Sequence, residues 1–104
     1  MTTHTIYQFG QLYRALTDAT RPHGANDAEY QNALHRPLTE IAKAIKLAHQ
    51  LHVMTPELNS LCAEFLDDVS LEDLEAEQSG TGLTLPQQGT FSLGYAKGKT
   101  VKDK

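Results

Sequence analysis

The chain has 104 residues, of which 39% are hydrophobic, 21% charged and 7% aromatic, with no Trp, one Cys and a formal charge of −4. A chain of this size buries under about 70% of its extended surface, so it makes one domain with a modest core and two full domains are excluded. No apolar run approaches the roughly 18 residues of a membrane span, Met1-Thr2-Thr3-His4 lacks the layout of a secretory signal, and Cys62 has no internal disulfide partner, so a cytoplasmic protein in a reducing compartment is expected.

The first periodic segment runs from about residue 5 to 20, where Ile6, Phe9, Tyr13 and Leu16 recur at helical offsets of three, four and three. Arg21-Pro22-His23-Gly24 ends this helix, since Pro disfavours a helical conformation in the residue before it. Asn26 or Asp27 caps a short second helix through Leu34, with Tyr30, Ala33 and Leu34 on one side. Pro37 suits the first position of a third helix, where its missing N–H is not needed. Leu38, Ile41, Ala42, Ile45 and Ala48 form the predicted buried stripe of that helix, continued near its end by His49 and His52. Thr39, Lys43, Lys46 and Gln50 share another face at about 100° per residue.

Thr55-Pro56 repeats the cap-then-proline start, and Leu58, Leu61, Cys62, Phe65, Leu66 and Val69 give the cleanest apolar stripe of the chain. Ser70 and Asp73 approximate a capping box for a short acidic extension through Gln78. Residues 79–83 read as a flexible connector. Thr84, Pro86 and Gln87 mark a further helix start, but Gly89, Gly94 and Gly98 each weaken a helix by about 1 kcal/mol relative to Ala, so composition leaves helix or strand open there. Phe91 and Tyr95, four apart, favour a helix presenting one aromatic edge to the core. Residues 100–104 are expected to fray. The predicted architecture is all-α, a small bundle of four to five helices in a single domain over 1–104.

Little in the sequence points to chemistry. His49 and His52 share a helix face and could be joined by His35 or Cys62, but no CxxC, HExxH or second Cys supports a metal site, and none is expected. Cys62 lies within an apolar stripe, where a thiol is a small core residue rather than a nucleophile. Asp67-Asp68 and Glu72-Asp73 are adjacent in sequence, so on a helix they diverge by about 100° and share no acid–base site. Gly80-Thr81-Gly82 lacks the Lys of a phosphate loop. No catalytic residues and no cofactor are expected.

Charge is the informative feature. Residues 1–54 hold five bases against four acids, a balance of +1; residues 55–78 hold eight acids and no base; from residue 79 onward four lysines face one acid, giving +3. The net −4 therefore comes from one segment and does not exclude a nucleic-acid partner. Arg14, Arg21, Arg36, Lys43 and Lys46 are candidates for one backbone-binding track, and Lys97 and Lys99, with Lys102 and Lys104, for a second. Aromatics do not interleave with the lysines of the third helix; Tyr95 near Lys97 is the only such pairing.

Two stretches carry a resemblance. "GQLYRALTDAT", followed by a loop, a tyrosine-containing short helix and "RPLTEIAKAIKLAHQLH", is similar to the C-terminal helical region of the large subunit of type I-C CRISPR Cascade complexes. The ending "LPQQGTFSLGYAKGKT" resembles the closing helix of that family, with departures after Tyr95, where Ala96-Lys97-Gly98 stands in place of a second aromatic, and in a longer acidic extension from Glu72 to Glu77. In that family the region is also made separately as the small subunit, to which a chain of this length with its own start methionine corresponds.

The resemblance implies a non-catalytic helical bundle that stacks in several copies beside the backbone and large subunits. There it would contact crRNA, target DNA or the displaced strand through the backbone, stabilising the R-loop while base pairing supplies specificity. It also implies a helical final segment in which Gly89 and Gly94 permit close helix approach. The seven candidates Arg14, Arg21, Arg36, Lys43, Lys46, Lys97 and Lys99 would be phosphate contacts rather than base readers, with the acids turned to protein or solvent. The alternative is an acidic protein-binding module, an adaptor or a phage-encoded inhibitor that mimics nucleic acid.

Overall fold

The computed structural model describes residues 2–21, 26–67, 69–80 and 82–98, and these form six helices with no strand among them. They are α1 (Thr3–Ala19), α2 (Asp27–His35), α3 (Pro37–Gln50), α4 (Pro56–Phe65), α5 (Leu71–Gln78) and α6 (Leu85–Lys97). The expected all-α bundle is what forms.

Most starts follow from local chemistry. The hydroxyls of Thr2, Thr55 and Thr84 and the Asn26 amide oxygen each accept an N–H of the first helical turn, which satisfies donors that the helix itself leaves open. Asn26 with Glu29, Ser70 with Asp73, and Thr84 with Gln87 are reciprocal capping boxes. The Ser70 box separates α5 from α4. The apolar stripe read through Val69 therefore leaves the helix after Phe65, and Leu66 and Val69 reach the core from the turn.

Helix α1 is the hub, packed by α6, α3 and α4. Its predicted stripe is buried, and so are Gly10, Leu12, Ala15 and Thr17, because partners on several sides leave little of the helix in water. It closes at Thr20, whose buried hydroxyl donates to the carbonyl of Leu16 at 3.0 Å. The expected terminator extends into residues 22–25, outside the described set.

The largest helix–helix contact is α1 with α6. The two backbones meet through glycines: a Cβ on Gly10 would overlap the Phe91 carbonyl, and one on Gly94 would overlap the Tyr7 carbonyl. Gly94 thus permits the close approach that the resemblance implied. Gly89 does not, since nothing lies within 4 Å of where its Cβ would be. The undecided final segment becomes a helix because its glycine is needed at that crossing and Phe91 is fully buried beside it.

Two details of α3 differ from expectation. Ala42 is exposed, and so are His49 and His52, which do not continue the buried stripe. The helix ends at Gln50, and His52 takes a left-handed conformation at φ 58°. Val53 N–H then donates to Ala48 at 3.0 Å and His52 N–H to His49 at 3.2 Å, the two-bond closure of a left-handed helix end. The connector before α6 is also anchored: Leu83 is buried and its N–H donates to the His35 carbonyl at 3.1 Å, while Gly82 leaves room for that carbonyl.

Candidate nucleic-acid interface

The cations predicted from the sequence fall into two groups. At one end of the α1–α6 pair, Arg14 and Arg21 share Asp18, at 3.1 and 3.3 Å. Arg14 also donates from Nη1 to the Tyr95 carbonyl at 3.1 Å and lies 5.5 Å from the centre of the Tyr95 ring. Its guanidinium is therefore a strut from α1 to the last turn of α6. Lys97 is exposed on that turn, beside Gly98, whose carbonyl accepts from Gln11 at 3.4 Å. Lys99 lies outside the described residues.

The second group follows α3. Arg36 stands exposed at the cap position, and Lys43 and Lys46 are exposed on the helix, three residues apart and so on neighbouring positions of one face. Lys43 pairs with the buried Glu40 at 3.1 Å, but its own side chain is 67% exposed. Among the described residues Arg36, Lys46 and Lys97 make no side-chain hydrogen bond or ion pair.

These pairings rank the candidates. An exposed ion pair contributes about 0–1 kcal/mol, so a phosphate displaces it easily. Arg21, with 74% side-chain exposure, is open to such exchange, whereas Lys43, though exposed, neutralises the buried Glu40 carboxylate and can meet a phosphate only while keeping that contact. Arg14, with 34% exposure and three attachments, is committed within the chain. Tyr95 is committed too: its ring packs on Tyr13 and Tyr30 at centroid distances of 5.9 and 4.7 Å, beneath Arg14. The predicted Tyr95–Lys97 pairing therefore offers no free face for base stacking.

The acidic segment divides. Glu57, Glu64, Asp67, Glu72 and Glu75 are exposed and make no ion pair among the described residues. Glu77 is 3% exposed and faces inward. Its carboxylate accepts the Leu38 N–H at 3.1 Å, the Thr39 N–H at 2.7 Å and the Thr39 hydroxyl at 2.9 Å. Arg36 supplies no side-chain cap to α3, so Glu77 caps that helix from α5. The missing local cap is the sequence signal that some distant acceptor is needed; which of eight acids supplies it is not readable from spacing.

No group of three metal-ligating side chains converges among the described residues. Burial pushes the Cys62 thiol up, opposed in part by its backbone hydrogen bond. No described helix is long and apolar enough to cross a membrane.

No family model, curated protein or solved structure matches this chain.

Proposed function

We propose that the chain is a non-catalytic small subunit of a type I CRISPR interference complex, touching the backbone of crRNA, target DNA or the displaced strand alongside other subunits and further copies of itself. The observation that supports this reading most is the exposed cationic edge of α3, where Arg36 and Lys46 have no side-chain partner among the described residues and the Lys43 side chain is 67% exposed beside Glu40. The resembling segments add to it, since "GQLYRALTDAT" and "LPQQGTFSLGYAKGKT" fall on α1 and α6, which pack on each other. Phosphate contacts then come from Arg36, Lys43 and Lys46, with Arg21 and Lys97 at the other end.

The test is binding of a labelled single-stranded DNA by the wild type and by Lys43→Glu/Lys46→Glu. The double variant should bind about tenfold or more weakly at low salt; equal affinities would remove α3 from the interface. The exposed, unpaired acids of α4 and α5 favour the rival, an acidic adaptor or inhibitor. Co-purification separates the two: the small-subunit reading requires association with an active crRNA-containing complex, the rival a single protein partner or lost activity.

A further inference from the structure

Among the described residues the exposed large hydrophobic side chains are Leu85 and Leu93, 79% and 53% exposed, and both lie on α6. Gly89 stands midway between them, four residues from each, and Ala96 follows Leu93 one turn later; both are exposed. At 100° per residue these four positions fall within about 80° of arc, so they share one outer face of the helix. The opposite side of α6 sets Phe91 and Gly94 against α1. Where a Cβ on Gly94 would run into α1, one on Gly89 would meet nothing within 4 Å. The outer face is therefore a notch between two leucines, and apolar side chains so exposed mark a contact surface.

Spacing and charge select what covers it. The pattern is the same read from either end, so a second α6 laid antiparallel, with the glycines at the crossing, sets each Leu85 beside the Leu93 of the other copy. Helix α6 packs on α1 and α2 and not on α4 or α5, which carry the exposed acids of residues 55–78. Two copies of an acidic chain can thus meet on this side without opposing those acids. The one charged residue of α6 is Lys97. It lies eight residues from Gly89, about 12 Å along the axis. In an antiparallel pair the two lysines are about 24 Å apart, beyond the ~8 Å over which exposed charges interact at physiological salt.

We propose that α6 is a self-association surface: two copies pair through Leu85, Gly89 and Leu93, antiparallel about a two-fold axis at Gly89. Four side chains on a 13-residue helix fall short of the ~800 Å² per partner of a stable dimer, so the pair is weak and reversible. The pairing does not depend on the nucleic-acid reading, because α6 does not pack on α3 and the cations there take no part in it.

Sedimentation velocity across a range of concentrations tests the pairing. The wild type should shift from monomer toward dimer as concentration rises. Leu93→Gln should raise the dissociation constant about tenfold or more, because each pair loses two buried leucines. Leu93 is exposed in the single chain, so this variant should unfold in urea together with the wild type. Gly89→Ala separates folding from association: it should resist urea better, through helix propensity, yet associate several-fold less, since its methyl groups fill the notch. Cross-linking reads the direction. Leu85→Cys mixed with Leu93→Cys should give a disulfide-linked pair on oxidation. Leu85→Cys alone should not, since its two copies lie about 12 Å apart along the axis, beyond the ~7 Å a disulfide spans. The native Cys62 is buried and does not compete. A wild type that stays monomeric at about 1 mM overturns the proposal. So does association that Leu93→Gln and Gly89→Ala both leave unchanged, or cross-linking of Leu85→Cys alone that equals the mixture.

Discussion

Tyr13 is 2% exposed, and its hydroxyl has no hydrogen-bond partner among the described residues. Burial, then the negative charges of Glu40 and Glu29, and then Tyr95, push its phenol well above the ordinary value. In the unfolded chain a tyrosine loses its proton near pH 10. Above that pH the unfolded state is deprotonated while the folded state keeps its proton, so stability is full below pH 10 and falls as pH rises beyond it, by up to about 1.4 kcal/mol per pH unit. Tyr13→Phe should move the alkaline unfolding midpoint upward and, because it removes a buried hydroxyl with no protein partner, leave stability at pH 7 equal or higher by about 1 kcal/mol. Urea melts between pH 7 and 11.5 check both; an unmoved alkaline midpoint would refute the assignment. Tyr13 was legible in the sequence as a core position from its place in the α1 stripe, but nothing in the spacing showed that its hydroxyl would be enclosed without a partner.

The α1–α6 crossing shows how one residue type means different things along one helix. At Gly94 a methyl group would run into the backbone of α1, whereas at Gly89 it would enter open space. Gly94→Ala should therefore cost about 2–3 kcal/mol through overpacking against a rigid neighbour. Gly89→Ala should add about 0.5–1 kcal/mol by raising helix propensity. Chemical denaturation of the two variants decides it, and equal effects would contradict the crossing. Caps and prolines made most later helix starts readable, because Asn26, Thr55, Ser70 and Thr84 act on donors three residues away, whereas the Thr2 cap of α1 went unread. The start of α3 was only half readable. Pro37 marks its position, but its cap lies on another helix nearly 40 residues away in sequence, where no local rule reaches.

Across the whole molecule, the acidic sum conceals separate charged surfaces. Exposed acids lie on α4 and α5 and exposed cations along α3 and at the end of α1 and α6, so association with a polyanion should be strongly salt-dependent and weak for a single copy. If Arg36, Lys43 and Lys46 each meet a phosphate, removing any one should lower the slope of log affinity against log salt by about 0.7–1. Anisotropy titrations at several salt concentrations measure that slope. A slope unchanged by Lys46→Ala would take that residue out of the contact set. Copies aligned on a filament would add their individually weak contacts through effective concentration.

By itself the sequence determined the helical class, most helix starts and the segregation of charge, because periodicity, capping and charge are local properties of the chain. Tertiary structure alone decided which candidates are free to meet a partner. It spent Arg14 on Asp18 and Tyr95, drew Glu77 out of the acidic surface to cap α3, and turned His49 and His52 to solvent. Each of those outcomes depends on which groups from distant parts of the chain come within hydrogen-bonding distance, and that is set by the packing of helices, above all the glycine-mediated contact of α1 with α6.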